Sequence, residues 1–260
     1  MASRYTLGHT PASAERLRYV AAIADEQTRF LLENLTIDEP PALVVDLGCG
    51  PGYTTRLLAE TLRPDRTVGL DVAESFLEVA RQSPHEGLEY RRHDLLEGEL
   101  PVSDADVVFT RFLLSHLPRP TSHLGTWSRA LALGGRLILV EVERVNSPDA
   151  VFTDYLAMLD GLLRSQGGVF SVGPVLAEAE RPEDMTTELD RVATFDVPAS
   201  LAGRSFHLNL QNVRNDPYVL DEVGPERVDR IDRGLAELAE GTRTTTITWQ
   251  LRQLVLRRTG

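Results

Sequence analysis

The sequence predicts an α/β fold: a mostly parallel sheet with helices on both faces. Two observations predict it. Apolar runs of strand length alternate with segments of helical spacing, and the first run, Ala42 to Leu47, is continuous and β-branched, as in a strand buried on both sides. A glycine-rich turn after the first run marks where such a sheet hands over to its first helix.

The 260 residues read as one unit. Residues 1–40 form a helical arm or lid, with helical pieces from Ala14 to Val20 and from Glu26 to Leu35, ending at Pro40-Pro41. Residues 41–145 hold the alternating core. Its strands are Ala42 to Leu47, Thr67 to Asp71, Leu88 to Asp94, Ala105 to Phe109, and Arg136 to Glu141 after the Gly134-Gly135 turn. Helices are expected over Thr54 to Leu62 and Ser122 to Leu133, the second from the spacing of Leu124, Trp127 and Leu131.

Residues 146–200 are expected to be a helical cap over the ligand crevice, its first helix striped by Val151, Phe152, Tyr155, Leu156, Leu159, Leu162 and Leu163 and ended by Gly167-Gly168. Residues 201–260 close the fold. Pro225 opens a helix with Val228, Ile231, Leu235 and Leu238 inward, Gly241 closes it, and Thr244 to Leu256 reads as a final strand.

Composition excludes several classes. With 42% hydrophobic and 25% charged residues the chain is neither disordered nor fibrous. A net charge of −12 repels the phosphate backbone that dominates nucleic-acid affinity, so no nucleic-acid partner is expected. The sequence contains no lysine, which removes Schiff-base chemistry. No apolar run approaches a membrane span, the first residues lack the apolar core of a secretory signal, and the tail lacks a prenylation box. The expectation is a cytoplasmic protein with no membrane partner. Cys49, the single cysteine, has no internal disulfide partner. Oligomeric state is left open.

The chemistry concentrates in Val44-Val45-Asp46-Leu47-Gly48-Cys49-Gly50-Pro51-Gly52. Ligands of open α/β sheets sit beyond the carboxyl ends of strands, where strand order reverses. Gly48, Gly50 and Gly52 let a tight turn bring backbone close to a ligand. The third glycine comes two positions after the second, whereas the dinucleotide fingerprint places it three after. That spacing, and the lack of a Tyr-x-x-x-Lys pair, disfavour a nicotinamide reductase.

This string resembles the first motif of the class I S-adenosylmethionine-dependent methyltransferases, in particular a small-molecule subgroup. Further landmarks follow in order: Gly69-Leu70-Asp71-Val72-Ala73-Glu74-Ser75-Phe76-Leu77, then His93-Asp94-Leu95, then Asp106-Val107-Val108 leading into Arg111-Phe112-Leu113-Leu114-Ser115-His116-Leu117. The resemblance implies a Rossmann-like, mostly parallel seven-stranded sheet and S-adenosylmethionine as cofactor, with S-adenosylhomocysteine as product. It implies that Asp71 accepts from the ribose hydroxyls, that Phe76 packs on adenine beside Val72, and that Asp94, next to Leu95, accepts from the adenine amino group. Asp46 is expected behind the loop, and Cys49 as a small apolar filler within it. Each carboxylate also has a plainer reading, as a cap of the turn or helix that follows it.

Tyr5-Thr6-Leu7-Gly8 with Glu15-Arg16-Leu17 resembles the subgroup's amino-terminal arm, which would bring Tyr5 and Arg16 to the cofactor's methionine carboxylate. Arg16 reads equally as part of a solvated helix face. Arg111 could lie beside the cofactor or hold an anionic substrate group. For proton removal His116 is the candidate base, since neutral imidazole suits that task near neutral pH. Its plainer reading is a helix-terminus histidine bonded to backbone. No metal is expected, because the histidines lack ligand spacing. The leading expectation is methyl transfer to O, N, S or C of a small molecule, apolar or aromatic by the cap stripe. The alternative keeps the cofactor and fold for another reaction, such as a cyclisation.

Overall fold

In the computed structural model, which describes residues 11–37 and 39–260, β1 (Leu43–Leu47) is buried along its whole length. Its neighbours are β2 (Arg66–Asp71) on one side and β4 (Ala105–Arg111) on the other, both parallel to it. Outward from these lie β3 (Leu88–Arg92), parallel to β2, and β5 (Leu131–Asn146), parallel to β4. The sheet is completed by β7 (Thr246–Arg258), antiparallel to both β5 and the edge strand β6 (Met185–Pro198). The order β3-β2-β1-β4-β5-β7-β6 is the seven-stranded, mostly parallel arrangement expected. Chain direction across the sheet reverses between β1 and β4, which opens a crevice at their carboxyl ends.

Alternating side chains explain the layers. Val44, Val107, Phe109, Ile138 and Val140 face one apolar core, while Val45, Val108, Leu137 and Leu139 face the other. The first core is covered by α1 (Pro11–Glu33), α5 (Ala150–Ser165), α7 (Ala199–Val213) and α8 (Pro225–Glu240). The fully buried Trp127, from the short α4 (Leu124–Ser128), fills the second. Between the strands lie α2 (Tyr53–Leu62), α3 (Glu74–Arg81) and, after α5, the short α6 (Gly173–Glu178).

Two of the three long carboxyl-half helices, α5 and α8, fall where periodicity put them, whereas α7 was not singled out in the sequence. Asp149 caps α5 by accepting from Val151 N at 2.8 Å. Gly167, at φ +83°, turns the chain after it, and Gly168 N returns to Leu163 O. Val228, Ile231, Leu235 and Leu238 are the buried stripe of α8, and Gly241 (φ +77°) ends it.

Four features differ from expectation. The arm is one continuous helix, because Ala21-Ala22-Ile23-Ala24-Asp25 contains no breaker and buries Ala21, Ile23 and Ala24. The helix expected over Ser122 to Leu133 stops at Ser128, and Leu131 already pairs with Ala105. Gly134 and Gly135 are a bulge inside β5 and not a turn before it: a Cβ on Gly135 would stand 2.7 Å from Ala105 O. Finally, the cap's helices end with α6, and residues 185–198 rejoin the sheet as β6. Its charged, half-exposed pattern is that of an edge strand. Among the described residues no helix is long and apolar enough to cross a membrane.

Candidate active site

The glycine loop lies at the reversal point. Gly48, Gly50 and Gly52 all have positive φ (+68°, +51° and +79°), so their left-handed backbone is the local reason for the glycines. Close approach is a second reason at Gly52, where a Cβ would stand 2.5 Å from the Tyr90 hydroxyl oxygen. Gly48 N and Cys49 N both donate to Leu70 O, which seats the loop on β2. Asp71 completes the anchorage. Its Oδ2 accepts from Gly50 N and its Oδ1 from Ala73 N, each at 2.8 Å.

Beyond the loop opens a cleft of about 1010 Å³, part of it continuous with solvent. Gly48, Cys49, Gly50, Asp71, Val72 and Phe76 line it, as do Asp94, Leu95, Arg111 and His116. The structure therefore brings most of the expected residues to one place. Phe76 is buried, Val72 stands partly exposed, and Asp94 Oδ1 accepts from Leu96 N at 3.0 Å.

Asp46 lies beneath the loop and does not line the cleft. It accepts from the Thr55 hydroxyl at 2.7 Å, and burial raises its pKa to about 7 against the opposing pull of that bond and of Arg111. Gly52 is likewise behind the wall, as the residue preceding α2. Burial and the charges of Asp71 and Asp46 push the Cys49 thiol up, so it is an inert filler. Tyr5 lies outside the described residues.

The two arginines sit differently from one another. Arg111 is buried and engaged within the protein: it donates to Thr28 Oγ1, Asp25 Oδ1 and Thr54 Oγ1, each at 2.9 Å, tying α1 and α2 to the end of β4. Arg16, also buried, lines a second cavity of about 570 Å³ instead of the first cleft. His116, Phe112 and Val20 line both. His116 is enclosed by protein apart from these openings; that desolvation, with the Arg16 cation beside it, lowers its pKa to about 3. The imidazole is neutral throughout the physiological range.

The second cavity holds residues that the sequence reading did not assign. Its walls include Leu159, Leu163, Phe170 and Phe206, and the Phe206 ring stacks on Tyr155 (centroids 4.5 Å apart) and Trp249 (6.2 Å). Among these apolar groups lie the buried Glu141, Tyr155 and Asn209, the last donating to the Tyr155 hydroxyl at 2.6 Å. Glu141 Oε1 accepts from both Leu113 N and Leu114 N at 2.9 Å and so holds the turn after β4. In that turn Phe112 has φ +57°, a sparsely populated conformation for an aromatic residue and a mark of a functional turn. An acid ending the fifth apolar strand was the legible signal for Glu141. Asn209 and Trp249 carry no local signature, since only the fold brings α7 and β7 to this place.

Comparison with known proteins agrees with the site. Residues 45–139 match the family described as a methyltransferase domain. The trans-aconitate 2-methyltransferase of Azoarcus sp. (strain BH72) is 35% identical over 128 residues, 48% of this chain and 49% of the relative. That of Sinorhizobium fredii (strain NBRC 101917 / NGR234) is 34% identical over 126 residues, 48% of each chain. The chain thus spans about half the length of the curated relatives it matches. Among solved structures, Haemonchus contortus Phospholethanolamine N-methyltransferase 2, in complex with phosphomonomethylethanolamine and S-adenosylhomocysteine, superposes with TM-score 0.53 at 14% identity, covering 100% of this chain and 61% of that one. The [4+2]-cyclase SpnF gives TM-score 0.53 at 17% identity, covering 91% and 82%. At such identities these likenesses speak for the fold.

Proposed function

We propose that this chain, whose residues 45–139 form a class I methyltransferase domain, is an S-adenosylmethionine-dependent methyltransferase acting on a small molecule. The observation that carries the reading is the anchorage of the glycine loop by Asp71 at the reversal point of the sheet, with one continuous cleft beyond it. The residues present fit the cofactor. Phe76, Val72 and Leu95 offer apolar surface for a flat base, and Asp71 and Asp94 offer carboxylates for sugar hydroxyls and an amino group. When bound, the cofactor supplies an electrophilic methyl group on sulfur.

The protein's own work is then alignment and exclusion of water, and alignment alone is worth about 7–11 kcal/mol in favourable cases. Arg111 fixes α1 over the cleft. His116 stands where the cleft meets the second cavity, which we assign to the acceptor. A base whose conjugate acid has a pKa of about 3 takes a proton poorly from a hydroxyl, so His116 is assigned an orienting role, as a neutral hydrogen-bonding group. Arg16, buried next to it, is placed to meet a carboxylate at the same junction. The aromatic and aliphatic walls support an apolar or aromatic acceptor.

The test is calorimetric titration with S-adenosylmethionine, S-adenosylhomocysteine and NADH, followed by incubation with methyl-labelled cofactor and a panel of aromatic acceptors. Micromolar binding of the two adenosyl ligands alone, with label appearing in an acceptor, is expected. Binding of NADH alone would overturn the reading. Adenosyl binding with no label transferred to any acceptor would favour the non-methylating alternative, a cyclisation among them.

A further inference from the structure

Among the described residues, Glu141 is a buried group of the second cavity whose hydrogen bonding is incomplete. Its Oε1 is occupied by two backbone amides, whereas Oε2 has no partner. Trp249 Nε1 is a buried donor without a partner on the same wall, and the Asn209–Tyr155 pair leaves Asn209 Oδ1 unmet. Buried polar groups of this kind are ordinarily satisfied. Three of them around one cavity describe what a ligand must bring: an acceptor for the indole N–H, a donor for the Asn209 carbonyl and, once Glu141 is ionised, a donor for its Oε2.

Charge narrows the class. Among the described residues Arg16 is the one permanent cation lining the cavity, and Glu141 is the one carboxyl group. A polycarboxylate would bring several charges to that single cation and leave most of them uncompensated. An ammonium group would bring a second cation to Arg16, and a carboxylate nucleophile has no proton to give up. A neutral hydroxyl on a ring fits the donor requirement, the aromatic walls and the charge.

We propose that the second cavity takes an uncharged aromatic hydroxyl compound and that Glu141 Oε2 accepts the proton its hydroxyl loses on methylation. The inference rests on the methyltransferase reading above. The hydroxyl oxygen's electron pair forms the new O–CH₃ bond, and the S–CH₃ pair returns to sulfur, giving S-adenosylhomocysteine. The proton passes to Glu141 and from there to water. Burial raises the Glu141 pKa to about 8, against the two backbone hydrogen bonds, which makes its carboxylate a better proton acceptor than an ordinary one. The other titratable or charged groups around it are Arg16 on α1, His116 after β4, Tyr155 on α5 and, across the strand pair, Arg252, which is itself bonded to Glu143 and Asp190.

The experiment uses 2-naphthol, a hydroxylated aromatic whose excited state is a strong acid, with the full chain saturated by S-adenosylhomocysteine. The probe is expected to bind and quench Trp249 emission. Its own naphtholate emission should grow as pH rises through about 8, when Glu141 becomes ionised and can take the photoreleased proton. Glu141→Gln keeps an oxygen for the Leu113 and Leu114 amides but sets an NH₂ donor in place of Oε2, so probe binding should weaken yet persist while naphtholate emission from the bound probe is lost. Leu163→Trp, which fills the cavity, should abolish probe binding and spare the S-adenosylhomocysteine titration. Absence of probe binding, displacement of the probe by trans-aconitate, or persistent naphtholate emission in Glu141→Gln overturns the proposal. Failure of the wild-type protein to bind S-adenosylhomocysteine would instead sink the reading beneath it. If Glu141→Gln does not fold, the wild-type emission profile and the Leu163→Trp titration still decide.

Discussion

Asp71→Asn isolates the carboxylate that organises the cofactor cleft. In the folded protein Asp71 accepts from Gly50 N with one oxygen and from Ala73 N with the other, both at 2.8 Å. Asparagine retains one acceptor. Its amide nitrogen must then face the remaining backbone N–H, donor against donor, so one loop anchor is lost outright. Hydrogen bonds to a charged group contribute about 1.5–3 kcal/mol each, and a neutral replacement keeps part of that. If bound ribose uses the same carboxylate, the ligand loses about 1–3 kcal/mol, or roughly 5- to 150-fold in Kd. Folding stability should fall by about 1 kcal/mol, because Asp71 is partly exposed and water can meet the freed amide. Calorimetry with S-adenosylhomocysteine at fixed salt measures the first quantity and urea denaturation the second. A mutant Kd within twofold of wild type would remove Asp71 from the ligand site, and the anchorage seen here would be structural only.

Gly52→Ala puts a Cβ at 2.5 Å from the Tyr90 hydroxyl at φ +79°, which should cost about 1–3 kcal/mol in denaturation. Wild-type stability would show that the loop can shift. Arg111→Ala releases the end of β4 from α1, held through Thr28 and Asp25, and from α2, held through Thr54; a loss of about 2–4 kcal/mol and faster proteolysis of the arm are expected, and unchanged cleavage would refute the clamp. Stability should also fall as pH rises from 6.5 to 8. Asp46 and Glu141 have folded pKa values raised to about 7 and about 8, so the folded state keeps protons that the unfolded chain has released. Their stabilisation is complete below ordinary carboxylate pKa values and is lost upward through those two. His116, lowered to about 3, acts in the opposite direction and only below about 6.5. Asp46→Asn should flatten the slope up to pH 7; an unaltered slope would show that Asp46 ionises normally.

The sequence was informative where one element contains its own instructions. A continuous β-branched run identified β1, runs of strand length between helical segments identified β2 and β4, and the glycine loop was legible because its left-handed turns admit little else. Where tertiary context overrides local pattern, reading along the chain erred. Leu131 continues a helical spacing, yet the Gly134-Gly135 bulge lets β5 start there and pair with β4. In β6 Leu189, Arg191, Ala193, Phe195 and Val197 alternate with exposed positions, but an edge strand with a charged face resembles a loop when its partner, β7, lies far along the chain. Tyr90 was unreadable for a related reason. Its ring lies beneath Gly52 and Gly69, which belong to other elements, and only pairing of β2 with β3 brings them together. Arg16 was expected either at the cofactor's carboxylate or on a solvated helix face; it is buried on the wall of the second cavity, and its place beside His116 depends on how α1 packs on α7.

The division between the two cavities makes a last prediction. Residues lining the cofactor cleft fall mostly within 45–139, the segment shared with the methyltransferase domain family. Tyr155, Phe206, Asn209 and Trp249 lie outside it and line only the second cavity. If the cavities bind separate ligands, changes confined to each should add. Tyr155→Phe removes the partner of Asn209 Nδ2 and should cost about 1–3 kcal/mol in folding while altering acceptor KM. Its effect on the S-adenosylhomocysteine Kd should be under twofold. Combined with Asp71→Asn, the two should add within about 0.5 kcal/mol in both cofactor affinity and stability, as independent sites do. Coupling above about 1 kcal/mol in cofactor affinity would mean that one ligand extends across both spaces. The acceptor would then have to be sought elsewhere. Near-additivity is the result expected if α5, α7 and β7 wall a space separate from the cleft beyond the glycine loop.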